Sequence, residues 1–316
     1  MVWAPQRKKR LPFFFRMLFF VCIVFGIYIL IASLFPKPPV LSPLADDTEK
    51  VHTSKTNSSM LTVFSKKKNT DELKQNIKDA IGLDWKNYSV LVMDTESDFK
   101  VDINEEEIFT AASVNKIPIL AALYTEAQTG NIDLDTVITL QEADIQDYGT
   151  GSMRYDGAGS TYTIKTLAKL MMQQSDNTAA YILANHIVGM DTIQELLTSW
   201  GMIQTDMVNN KTSNADIALL MEKIYQGNIA NVANTKEMLA FFKDGEFEDR
   251  IPGNLPKEVA VYHKIGTEIG IMHDVGIVVG PTAKYYIGIL VSDVVNEEET
   301  TKLMASVSKL VYDYMK

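Results

Sequence analysis

The sequence predicts an α+β protein: one antiparallel sheet of about five strands, flanked by the terminal helices, with an all-helical lobe inserted between strands. Three observations point there. β-favouring runs fall at 88–94 and 99–103, then again at 259–264, 273–279 and 285–291. The long stretch between them has helical periodicity, punctuated by Gly189, Gly201 and Gly227. Amphipathic helical segments stand at both ends of this region, at 70–81 and 298–314. A sheet with a lobe docked against its edge is the simplest way to bury all three, and the cleft between them is a usual ligand site.

Taken in order, Thr70, Asp71 and Glu72 read as an N-cap and acidic first turn, and Gly82 as the stop. Residues 88–94 (YSVLVMD) and 99–103 read as a hairpin across a polar turn. A helix is expected from Ser113 to about 128, then others at 163–174, 177–187, 192–199, 214–225 and 235–242, giving a lobe of about 113–250. In the last helix, Leu303, Val307, Leu310, Val311 and Tyr314 share one side.

The 316 residues carry a formal charge of -10, yet Arg7, Lys8, Lys9, Arg10 and Arg16 lie in the first 16 residues without an acid. The body is therefore strongly acidic, which argues against a nucleic-acid partner. One cysteine, Cys22, excludes an internal disulfide or a thiolate cluster. Residues 17–35 form a charge-free apolar run long enough to span a bilayer. The order of charges around it implies a basic cytoplasmic tail (1–16), a single-pass anchor in the lipid bilayer (17–35), an extracellular linker (36–69) and an outward-facing domain (70–316) at the cell membrane. A cleaved signal peptide is the competing reading.

Three polar clusters interrupt the apolar pattern. In Ala112-Ser113-Val114-Asn115-Lys116, a serine and a lysine fall one turn apart at a helix start, where backbone N–H groups meet any anion that forms. Serine is a poor nucleophile until a neighbouring base activates it. Ser175-Asp176-Asn177 separates two helical segments and reads equally as an inter-helix turn. Lys264-Ile265-Gly266-Thr267 closes a β run and reads equally as an edge-strand lysine with a glycine bend. Acyl transfer needs these parts together: a nucleophile with its base, a hydroxyl to pass a proton on, an amide to grip substrate, and a cation for a carboxylate.

The trio, separated by 62 and 89 residues, resembles the class A β-lactamase and penicillin-recognising serine hydrolase family. Residues 107–113, 175–180, 249–256, 261–266 and 273–276 extend the resemblance across 70–316. It implies Ser113 as acylated nucleophile, Lys116 as base and Ser175 as proton relay. Backbone N–H groups of Ser113 and Thr267 would form the oxyanion hole. Asn177, Lys264, Gly266 and Thr267 would bind substrate, a β-lactam-like, ester or cell-wall peptide molecule, and no cofactor or metal is implied. Tyr148, beside Gly149-Thr150-Gly151, is a candidate cleft wall that stacks on substrate, and His186, His263 and His273 are too scattered for a metal site.

Two departures stand out. Ile265 occupies a position where the family usually has a hydroxyl, with Thr267 the candidate replacement. The segment 202–214 is short and lacks the glutamate that activates the deacylating water; Asp206 is its only acid, and Asn209 or Asn210 echoes the family asparagine. The expectation is a membrane-anchored serine hydrolase that acylates readily and deacylates slowly, so efficient β-lactamase turnover is not expected. The alternative is a catalytically idle binding or scaffold module at the cell wall.

Overall fold

The computed structural model describes residues 68–316. The chain begins with α1 (Thr70–Ile81), then β1 (Asn87–Asp94), β2 (Lys100–Ile103) and β3 (Ile108–Thr110). A 3-10 turn, Ala112–Asn115, leads into α2 (Lys116–Thr129). Next come β4 (Val137–Thr139), β5 (Thr161–Thr163), α3 (Ile164–Gln173) and α4 (Asn177–Ile182), the last prolonged by a π-helical turn, Leu183–Val188. The lobe continues through α5 (Met190–Ser199), β6 (Lys211–Ser213), α6 (Asn214–Tyr225) and α7 (Val232–Phe241). Strands β7 (Ala260–Glu268), β8 (Ile271–Val279) and β9 (Lys284–Ser292) return to the sheet, and α8 (Glu297–Met315) ends the described chain.

The main sheet is five-stranded and antiparallel, ordered β2-β1-β9-β8-β7. Successive side chains of a strand face opposite sides, and each side has its own core. Val90, Val92, Ile287 and Ile289 meet Leu73, Ile77 and Ile81 of α1 and Val307, Val311 and Met315 of α8. Leu91, Val275, Ile277 and Leu290 face the helical lobe. Each such aliphatic side chain, fully buried, stabilises the fold by about 1.5–3 kcal/mol. Because both faces are covered, the long strands read as unbroken apolar runs rather than alternating ones.

A buried polar staple fixes the lobe to the sheet. Asn214, the first residue of α6, donates through Nδ2 to Ser89 Oγ and to the Gly288 carbonyl, both at 2.9 Å. Its Oδ1 accepts from the Tyr286 hydroxyl at 2.7 Å. A Cβ at Gly288 would lie 2.0 Å from Asn214 Oδ1, so the staple requires glycine there.

Some expectations shift. The cap of α1 is Asn69 rather than Thr70, its side chain accepting from the Asp71 and Glu72 N–H groups. The helix expected from Ser113 begins at Lys116, because Ser113 lies in the tighter 3-10 turn. The single-pass anchor, with its bilayer partner, cell-membrane location and outward-facing body, is corrected. Among the described residues no helix is long and apolar enough to cross a membrane. The longest, α8, has 19 residues and carries Glu297, Glu298, Glu299, Lys302, Lys309 and Asp313. The tail, the run 17–35 and the linker up to residue 67 lie outside the described residues.

Candidate active site

Strand β3 pairs with β6 and delivers the chain to the 3-10 turn, where the Ala111 N–H donates to the Asn210 carbonyl at 2.8 Å. Ala112 then takes a φ of 48°, a left-handed conformation that costs a non-glycine residue about 1–3 kcal/mol. Ser175 (φ 54°), between α3 and α4, and Asn210 (φ 53°), before β6, are held the same way. These three residues line one cavity of about 1030 Å³. Such strain persists only where the surrounding structure enforces it.

The cavity brings the three sequence clusters together. Lys116 Nζ lies 3.0 Å from Ser113 Oγ, 3.1 Å from Ser175 Oγ, 2.6 Å from the Ser175 carbonyl and 2.8 Å from Asn177 Oδ1. Lys264 Nζ donates to Ser175 Oγ at 2.9 Å and to the Ile265 carbonyl at 3.1 Å. Ser175 Oγ thus bridges the two amines. Lys116, Ser175 and Lys264 are each at most 3% exposed. Burial pushes the Lys116 amine down to about 7, against the nearby Asp176 carboxylate. Burial also holds Lys264 well below its usual range, helped by the Lys116 and Arg250 charges and opposed by Asp274. Burial, rather than the Lys264 charge, is what leads in making Lys116 a weak acceptor of charge.

In its neutral form the Lys116 amine has a lone pair into which the Ser113 hydroxyl, 3.0 Å away, can donate. That is the geometry of a nucleophile and its base.

The walls are equally specific. Asp176 caps α4, accepting from Ala179 N–H, and its other oxygen accepts from Met153 N–H, both at 2.9 Å. The turn reading of this cluster and its place in the site therefore coexist. Asn177 Nδ2 donates to the Tyr148 carbonyl at 3.1 Å, which pins the Tyr148–Gly151 wall against α4. Cβ atoms at Gly149 and Gly151 would lie 2.3 Å and 2.1 Å from the Asn177 and Asp176 side chains. Tyr148 lines the cavity and is 63% exposed as a residue.

On the opposite side, β7 is the sheet's edge strand. A Cβ at Gly266 would sit 3.1–3.2 Å from Ala111 O, Ala112 Cβ and Val114 Cγ2. Glycine there lets the strand press on the turn that carries Ser113, and Thr267, the next residue, lines the same cavity as Ser113.

Sequence reasoning missed Arg250 as a site residue. Its guanidinium is buried against the cavity and donates to Thr267 Oγ1 (2.6 Å), Gly266 O (3.1 Å) and His273 O (2.7 Å). The only signal was an arginine just ahead of Ile251-Pro252, and no spacing rule ties that segment to Thr267. Ile265 is buried at the cavity wall, and Thr267, whose hydroxyl accepts from Arg250, lines the same cavity.

The segment 202–213 is fixed without placing a carboxylate at the serine. The Asp206 carboxylate accepts from the Asn209 N–H (2.9 Å) and Nδ2 (2.7 Å), and its backbone bridges to that of Lys211, outside the cavity. Asn210 does reach the cavity, linking Asn115 (2.8 Å) to Glu268 (3.2 Å), the one carboxylate among the lining residues. Among the described residues no group of His, Cys, Asp or Glu is placed to hold a metal ion. His273 donates from Nε2 to the Thr110 carbonyl, His186 meets Asp144, and His263 meets Asp274.

A paired Ser–Lys centre at the junction of an antiparallel sheet and a helical lobe defines a serine hydrolase of the class A β-lactamase-like fold. The model of the beta-lactamase enzyme family matches residues 71–315, and the chain belongs to that family. Beta-lactamase VEB-1 of Pseudomonas aeruginosa is 22% identical over 287 residues, spanning 81% of this chain and 95% of the relative. The solved structure of an acyl-enzyme complex of a PBP-A mutant with penicillin-G superposes with a TM-score of 0.71 at 27% identity, covering 77% of this chain and 96% of that one. A beta-lactamase from Sphaerobacter thermophilus gives 0.72 at 21% identity over 78% and 97% of the two chains, a likeness of fold.

Proposed function

We propose that the protein is a serine hydrolase that forms a covalent acyl-enzyme through Ser113 on an amide or ester carbonyl, the β-lactam ring being one such amide. The observation that carries this reading is the 3.0 Å contact between Ser113 Oγ and the buried Lys116 amine, whose pKa lies near 7. Lys116 takes the hydroxyl proton as Ser113 Oγ bonds to the acyl carbon. The oxygen left negative faces the backbone N–H groups of Ser113 and Thr267, a pairing in which one donor is typically worth about 2.7–4 kcal/mol. Ser175, bridging the two amines, passes a proton to the leaving atom as its bond to carbon breaks. Asn177 and Tyr148 hold the acyl side, while Lys264, Gly266 and Thr267, with Arg250 behind them, receive an anionic group on the leaving side. Water then cleaves the ester. The PBP-A complex with penicillin-G supports the first half of this sequence by likeness. The absence of a carboxylate from segment 202–213 at the cavity supports a slow second half.

Intact-mass kinetics with penicillin-G tests the reading: the protein gains one acyl mass, holds it for many times the acylation period, and Ser113→Ala gains none. A folded protein left unlabelled by penicillins, cephalosporins and activated esters alike would overturn it.

A further inference from the structure

The polar lining of the cavity gathers around Ser113, along Arg250 and Thr267, and at the linked Asn115, Asn210 and Glu268. Beyond Asn177 its wall follows one face of α4, with Ala180, Tyr181 and Ala184 at the third, fourth and seventh positions on. The lining therefore changes from amide to hydrocarbon within one helical turn. Ile119, one turn past Lys116, and the thioethers of Met190 and Met207 complete an apolar arm. The two asparagines that could intrude, Asn115 and Asn210, are bonded to one another at 2.8 Å.

Two features fix this arm. The helix carrying Ala184 opens there into a π-helical turn, a distortion frequent at functional sites. The short segment after α5 is also held from behind: Gln194 accepts from the Met207 N–H at 3.0 Å and donates to the Thr205 carbonyl at 2.9 Å. Met207, 6% exposed, is thereby set into the cavity wall.

Resting on the acyl-enzyme reading above, we propose that this arm is a subsite for a hydrocarbon acyl chain, so that the preferred substrates are esters or amides of unbranched aliphatic acids. Direction follows from the polar groups. Ser175 and Lys264 flank the leaving atom, and Thr267 and Arg250 lie on that same side, so the acyl chain occupies the opposite arm. Alanines at 180 and 184 leave the width, and the flexible methionines adapt to a chain of varying length.

The test is a chain-length series of p-nitrophenyl esters, from acetate through butanoate and hexanoate to octanoate, read as the second-order acylation rate of Ser113 by mass. The rate rises about fourfold per methylene until the arm is full, the factor expected for burying each CH₂. Ala184→Phe, which fills the arm, flattens the series. Should that variant not fold, Met190→Ser, at a half-buried position, lowers the slope instead. In parallel, the amides of the same acids are titrated calorimetrically into Ser113→Ala, whose affinity for them climbs with length. Acylation that is flat or falls with length, or a folded Ala184→Phe protein that keeps the full slope, overturns the subsite while leaving the serine hydrolase standing. Length-dependent amide binding without acylation by any ester supports the subsite and removes the hydrolase reading instead.

Discussion

At Lys116 a stem of four methylenes places one buried nitrogen among four oxygens. Three consequences meet there: burial disfavours the ammonium, the hydroxyl of Ser113 lies in reach, and Ser175 connects the amine to Lys264. With the neutral amine as proton acceptor in the proposed mechanism, acylation is expected to be weak well below pH 7, to rise through a transition near 7, and to level off above it. Stopped-flow acylation by penicillin-G across pH 5–9 checks this. Lys116→Met loses about 10²–10⁴-fold in that rate, the usual worth of a positioned base, and abolishes the transition. This cluster was legible beforehand because its residues are sparse polar interruptions in apolar segments. Arg250 was not, since its role arises only when β7 and β8 bring Gly266, Thr267 and His273 around it.

Among the elements, edge strand β7 and helix α6 do opposite work with glycine. Gly266 lets β7 approach the nucleophile's turn, and a side chain there would have to displace Ala111 and Ala112. Gly266→Val is therefore expected to remain folded yet to acylate at least about tenfold more slowly, since small misplacements near reacting atoms are costly. Gly288 gives room to Asn214 under the centre of the sheet. Gly288→Ala drives a methyl into that amide and costs about 1–3 kcal/mol, measured as a lowered denaturant midpoint. The long strands were readable because their residues are apolar on both faces. Three-residue β3, β4, β5 and β6 were not, because so short a run has no period, and their pairing depends on partners about 22 or more residues away. The π-helical turn was equally hidden. Residues 177–188 have an ordinary helical pattern, and only packing decides that one turn widens.

For the whole molecule, stability carries its own pH signature. Buried His263 meets Asp274 at 2.8 Å and Glu248 at 3.5 Å, while Arg250 lies beyond Asp274 with Ile251 N–H bonded to the same carboxylate. Burial opposes its charge, but the two carboxylates outweigh burial and raise it to about 9. The folded state thus holds a proton that the unfolded chain releases near 6.5. The contribution, on the order of 3 kcal/mol, is complete below pH 6.5 and disappears as pH climbs through 9. Lys116 and Lys264, with lowered values, push stability the other way over the alkaline range. The histidine's share is accordingly read as the difference in urea midpoints between wild type and His263→Asn, large at pH 6 and small at pH 10.

The neighbour relation of β1 and β9 has a bearing on biogenesis. Asn87 to Asp94 find their partners in Tyr285 to Ser292, about two hundred positions downstream. A nascent chain emerging from the ribosome can wind its lobe early, but its first hairpin must wait, exposed along one edge, until β9 has also emerged.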